Sequence, residues 1–174
     1  NEWHKLLNRY VADAESMRPV MMKPFEQDGY VCASDTHILI CVAKRYITND
    51  YSTDKTTPNV SRVVPEHNPQ FAITIDNLRS AFVQRGINYD ELTVDCPYCD
   101  DECEVEWKFE DNDGDTHTMW AGCPCCNGTG FIPNGISHYI EIKERTVNAH
   151  FMLILYQTMI ELGIDRAEVT IGDM

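Results

Sequence analysis

Apolar residues recur at helical spacing along the first stretch of the chain. Trp3, Leu6, Leu7, Tyr10 and Ala14 fall at i, i+3, i+4, i+7 and i+11. This predicts an amphipathic helix over 2–14, with His4, Lys5, Asn8 and Arg9 mostly on the other side. Arg18-Pro19 marks the exit. Residues 20–27 read as a strand interrupted or edged by Pro24. Asp28-Gly29 is a hairpin turn signal, and Tyr30 to Ser34 and Ile38 to Ala43 read as the strands that follow, with Asp35-Thr36 between them.

Residues 48–69 change character, with few apolar positions and Pro58, Pro65 and Pro69, and read as a long exposed loop. Phe71 to Ile75 returns as a strand. Asp76 is placed to cap a helix over 77–85, with Leu78 and Phe82 inward and Arg79 and Arg85 toward solvent, and Gly86 stops it. A cysteine-rich module spans 94–131. Beyond it, Tyr139 to Ile142 reads as a strand, Val147 to Leu162 as a helix ending at Gly163, and Glu168 to Ile171 as a last strand. The mixture predicts an α+β fold.

Composition narrows the function classes. The 174 residues carry 28 Asp and Glu against 14 Lys and Arg, a formal charge of −14. That balance argues against a basic DNA-wrapping protein and against a polybasic membrane binder, although net charge does not describe one local patch. The longest strongly apolar run, Phe151 to Tyr156, falls far short of the roughly 20 residues of a membrane-spanning helix. Six of the eight cysteines crowd into 96–126, leaving Cys32 and Cys41 apart. Clustered pairs suit a metal site in a reducing compartment better than a secreted disulfide framework, so a cytoplasmic location is expected. Cys32 and Cys41, lying in strand patterns, read as small core residues.

Cys96-Pro-Tyr-Cys99 and Cys123-Pro-Cys-Cys126 are two CxxC pairs with 23 residues between them. A CxxC turn aims two thiolates at one point. Two such turns make a tetrahedral site that suits one structural Zn²⁺, with Zn–S distances of about 2.3 Å. Between them Val105, Trp107 and Phe109 alternate with Glu106 and Lys108, Asn112-Asp113-Gly114 turns, and Thr116 to Trp120 returns. This predicts a zinc-ribbon β-hairpin. Cys103 and Cys125 are spare on spacing grounds, and His117 is a rival ligand. A closed Cys₄ shell leaves no position for a catalytic water. Asp111-Asn-Asp113-Gly-Asp115 opens like a calcium loop, but Thr116 and Gly122 break the match, so it reads as a solvated turn. Nine carboxylates in the sixteen positions 100–115 make this module strongly acidic. Asp35 and His37 could be drawn as an acid–base pair, but no nucleophile can be assigned to them. They read as turn residues.

Cys123-Pro-Cys-Cys-Asn-Gly-Thr-Gly130 resembles one CxxCxGxG unit of the cysteine-rich domain of DnaJ-type co-chaperones. The likeness implies zinc ligation and not chaperone function, since Cys99-Asp-Asp-Glu-Cys103 lacks the glycines. The flanking regions are similar to a DNA sliding-clamp domain of phage or mobile-element type. The residues that carry this are Met17-Arg-Pro-Val20 and Val31 to Ile40 on one side, and Tyr139 to Lys143, Val147 to Leu155 and Ala167 to Ile171 on the other. Phe71 to Asp76 with its helix could fill the same role as the second set. The resemblance implies clamp-like helices packed on antiparallel sheets. It divides the chain into a first half over 1–93, a ribbon insert over 94–131 and a second half over 132–174. It also implies a non-enzymatic accessory role in DNA replication or phage DNA metabolism, with Lys5, Arg9, Arg79 and Arg85 as DNA-facing residues and DNA, a replication protein or a second copy as partner. The helix at 147–162 carries no Lys or Arg and departs from that pattern. A zinc-ribbon protein–protein adaptor with no DNA role is the alternative. No membrane partner and no small-molecule substrate is evident.

Overall fold

A computed structural model describes residues 2–12, 17–64, 66 and 68–170. It is an α+β structure of three helices and several small antiparallel sheets. The chain divides into two compact units, residues 1–72 with 166–174 and residues 73–165.

In the first unit, α1 spans Glu2–Leu7 and buries Leu6 and Leu7. It is shorter than the periodicity predicts. Arg9 N–H and Tyr10 N–H turn back to Leu6 and Leu7, three residues earlier, and Ala12 N–H bonds to the Met21 carbonyl instead of extending a helix. Residues 13–14 of the predicted helix lie outside the described residues. Pro19–Met22 forms a 3-10 turn where a strand was expected, because proline fixes φ and removes a donor. Three strands then form a meander, β1 (Phe25–Gln27), β2 (Tyr30–Ser34) and β3 (Leu39–Ala43). Asp28 and Gly29 both have positive φ, 51° and 81°, as a two-residue hairpin requires. Asp35 is a turn residue: its Oδ1 accepts from the His37 and Ile38 N–H groups. The described residues of the 48–69 segment include a 3-10 turn, Val60–Arg62, and are tied to β1. Tyr51 O accepts from Glu26 N–H, and the Gln27 amide reaches Thr57 and Val60. Phe71–Thr74 (β4) pairs with Arg166–Val169 (β11).

In the second unit, α2 spans Ile75–Gln84. Its cap is Thr74, not Asp76. Thr74 Oγ1 accepts from Asn77 N–H while the Asn77 side chain accepts from Thr74 N–H, a reciprocal box that places Asp76 in the first turn. Thr93–Asp95 (β5) pairs with Phe131–Pro133 (β8), and Glu104–Glu110 (β6) with Thr116–Gly122 (β7). Tyr139–Ile142 (β9) alternates exposed and buried residues and pairs with Arg145–Asn148 (β10), a strand the sequence pattern did not reveal. Asn148 caps α3 (Ala149–Leu162), and Gly163 ends it at φ 63°. The core between α2, α3 and β9 is built on Leu78, Phe82, Ile140, Leu153 and Met159. Phe82 meets the Tyr156 ring edge-on with centroids 5.9 Å apart. Burying such a ring contributes roughly 1.5–3 kcal/mol, and its removal leaves a cavity that adds to the loss. Phe82→Ala should therefore cost about 3–5 kcal/mol, read as a lowered urea midpoint at constant slope. A loss below about 1 kcal/mol would contradict this packing.

Candidate metal centre

The four cysteines of the two CxxC pairs converge. Cys96, Cys99, Cys123 and Cys126 are all buried, and their sulfurs lie within 4.8 Å of one another. Cys96 Sγ to Cys123 Sγ is 3.8 Å, and Cys99 Sγ to Cys126 Sγ is 3.7 Å. The group could hold one metal ion. Val105 and Ile132 pack against it. His117 is not part of it; its Nε2–H donates to Asp111 Oδ2 at 2.7 Å on the hairpin.

The two knuckles are conformational copies, although only the second has the glycines. After Cys126, Asn127, Gly128 and Gly130 take positive φ of 53°, 74° and 81°. After Cys99, Asp100, Asp101 and Cys103 take 48°, 68° and 67° at the same offsets. Asp and Asn tolerate this region better than most residues, which lets a glycine-free sequence follow the path. The hydrogen bonds repeat as well. Cys96 N–H donates to Gly130 O at 2.7 Å, and Cys123 N–H to Cys103 O at 2.8 Å. Glu102 N–H reaches Cys99 O, and Thr129 N–H reaches Cys126 O. Cys103 thus stands where Gly130 stands in the other knuckle. Gly130 itself is confined: a Cβ there would lie 3.0 Å from Asp101 O and 3.2 Å from Cys103 Sγ. Cys125 is exposed, as its place inside the second pair predicts.

Main-chain donors point at the sulfurs. Gly130 N–H donates to Cys126 Sγ at 3.3 Å. The Tyr98 and Cys99 N–H groups serve Cys96, and Cys103 N–H serves Cys99. These surroundings set Cys99 and Cys126 apart. Burial, then the Cys126 thiol, pushes Cys99 up to about 12. Burial opposes ionisation of Cys126 too, but the Gly130 N–H and the neighbouring thiols outweigh it and bring Cys126 down to about 6. Four ionised sulfurs at these separations repel strongly, and a central cation is what lets all four carry charge together.

The hairpin between the knuckles has two unlike faces. Val105, Trp107 and Phe109 on β6 oppose Ala121, Met119 and His117 on β7, and Trp107, Phe109 and Met119 are each about half exposed. Phe109 and His117 stack with ring centroids 5.3 Å apart. The other face carries Glu104, Glu106, Lys108 and Glu110, with Trp120 opposite Glu106. Asp111 closes the hairpin turn: its Oδ1 accepts from Asp113 and Asp115 N–H, and the hydrogen bond from His117, with these, holds its carboxyl below the usual range.

The four residues expected to face DNA lie outside the hairpin and the knuckles. Lys5 is exposed on α1 and Arg9 half-buried just after it, both in the first unit. In the second unit Arg85 is exposed at the end of α2. Arg79 is engaged: its Nε–H donates to Tyr156 Oη at 3.0 Å, and its guanidinium lies 5.7 Å from the Tyr156 ring centroid and 3.7 Å from Asp76. Among the described residues no helix is long and apolar enough to cross a membrane. Comparison with family models, with curated proteins and with solved structures finds no match to this chain.

Loss of any one of Cys96, Cys99, Cys123 or Cys126 to Ser should abolish stoichiometric metal binding, while Cys103→Ser and Cys125→Ser should retain it. Metal analysis after desalting decides this. Because protons compete with the metal for the same sulfurs, metal should be released as pH is lowered below neutral, followed with a chromogenic indicator. Release that grows as pH rises would contradict thiolate ligation.

Proposed function

We propose that the protein is a non-enzymatic accessory protein in which one structural Zn²⁺ holds a ribbon whose apolar face docks a partner protein. The metal assignment is supported by geometry. A tetrahedron with Zn–S bonds of about 2.3 Å has edges of about 3.8 Å; two of the six sulfur pairs stand at 3.8 and 3.7 Å, and all lie within 4.8 Å. Four thiolates fill the shell, which leaves no open position for a reacting water. Metal analysis separates zinc from iron, the other metal that takes a tetrahedral sulfur site.

The observation that carries the docking role is the face formed by Trp107, Phe109 and Met119, each about half exposed. Aromatic residues and methionine are enriched at interfaces, and large solvent-facing apolar side chains in register on one strand pair mark a recognition surface. The acidic reverse face favours a partner with apolar anchors and a basic rim. Co-purification with the metal-loaded chain should identify that partner. Trp107→Ala should then weaken binding by at least tenfold with the zinc content unchanged, as expected for an anchor residue. Equal affinity in the variant would overturn the docking face.

A second reading, a clamp-like accessory of DNA replication, is supported by the order of α1 followed by the β1–β3 meander and by exposed Lys5 and Arg85. Such binding would fall steeply with salt. No association with DNA at low salt would dismiss it.

A further inference from the structure

Two of the cysteines that take no part in the metal centre lie outside the cysteine-rich module altogether. Cys32 on β2 and Cys41 on β3 are directly paired in the antiparallel register, and their sulfurs stand 3.2 Å apart. Cys32 is buried and Cys41 partly exposed. Both line a cavity of about 390 Å³ walled by Tyr30, Val60, Ser61 and Val64. Directly paired residues on antiparallel strands have Cα atoms roughly 4.5–5.5 Å apart, inside the range a disulfide spans. Bond formation needs the sulfurs to close from 3.2 Å to about 2.05 Å, a motion within reach of side-chain rotation.

We infer that Cys32 and Cys41 form a reversible dithiol switch oxidised stoichiometrically by a small hydroperoxide, with Cys41 as the attacking sulfur and Cys32 as the resolving one. The Cys32 thiol donates its hydrogen bond to Cys41 Sγ. That bond lowers the Cys41 thiol from its ordinary range. The same bond, with burial, pushes Cys32 up, so Cys41 is the more readily ionised of the two. A thiolate is the nucleophilic form, and of the two cysteines lining the cavity Cys41 is the partly exposed residue.

The step balances with hydrogen peroxide as oxidant. Cys41 thiolate attacks one peroxide oxygen, the O–O bond breaks, and hydroxide leaves and is protonated to water. Cys41 is then a sulfenic acid. The Cys32 sulfur attacks the Cys41 sulfur, the S–O bond breaks, and a second water leaves with the Cys32 proton. Two thiols are oxidised by two electrons to one disulfide, and the peroxide is reduced to two waters. A dithiol reductant reverses it by exchange.

The test uses the metal-loaded full chain, treated with stoichiometric hydrogen peroxide, alkylated and digested with trypsin. No Lys or Arg lies between Cys32 and Cys41, and no other cysteine occurs in 10–44, so one peptide reports both. The expected result is that this peptide loses the mass of two hydrogens and both alkylation sites, and regains both sites after dithiothreitol. In Cys32→Ser, Cys41 should instead accumulate as a sulfenic acid trapped by dimedone. In Cys41→Ser, buried Cys32 should stay alkylatable. Both thiols remaining alkylatable in the wild-type chain while exposed Cys125 oxidises would overturn the site. So would oxygen atoms added at Cys32 or Cys41 in place of the lost hydrogens, read apart from any sulfoxide at Met17, Met21 or Met22 of the same peptide. The wild-type measurement stands even if a variant fails to fold.

Discussion

Four sulfurs must meet at one point, and the second unit is organised around that requirement from residue 93 to residue 133. Between Cys96 and Gly130 the buried residues are the four cysteines and Gly130 itself. The hairpin they carry has both faces in water, and a lone two-stranded hairpin is marginally stable. Hydrophobic burial therefore cannot order this segment. Backbone bonds that link one knuckle to the other, and a cation that would bring about 10–16 kcal/mol of apparent binding energy, fill the role of a core. Every left-handed residue in the knuckles follows from the same requirement, because the chain must wrap its N–H groups around sulfur within a few residues of each CxxC turn.

What could be read from the sequence was what short-range chemistry dictates. The CxxC spacing located the sulfurs, the period-2 alternation located the hairpin, and Asp28-Gly29 located a turn. The misses share a cause. The turn at Lys143 and Glu144 uses positive φ of 50° and 64° on residues that do not advertise it, so β10 was hidden. Asp76 looked like a cap because Asp often is one, but Thr74 has Asn77 at the reciprocal position. Asp100 and Asp101 hid a second knuckle copy because glycine, not aspartate, is the usual sign of such a path. The 2–14 helix ended early because the Ala12 amide found a partner in Met21, a long-range choice that periodicity does not register. Strand patterns placed Cys32 and Cys41 correctly, but only the register set them face to face.

The acidic charge is distributed with the same alternation. Along β6, Glu104, Glu106, Lys108 and Glu110 interleave with Val105, Trp107 and Phe109, so that one ribbon carries a charged surface back to back with an apolar one. The carboxylates border the exposed aromatics without occupying their face.

The second unit is a continuous stretch of chain, whereas the first is assembled from two pieces, with residues 73–165 between them. Inside the second unit, β5 and β8 enclose the knuckles, and the knuckles enclose β6 and β7. The closures are concentric. The entropic cost of joining two points grows with the length of free chain between them. Each inner closure shortens the loop that the next must span: the hairpin prepares the sulfurs, the sulfurs prepare β5 with β8, and the finished unit brings residue 166 back toward β4. Assembly from the inside outward is the least costly route, and on a chain synthesised from its N-terminus the piece made first is the last to be completed.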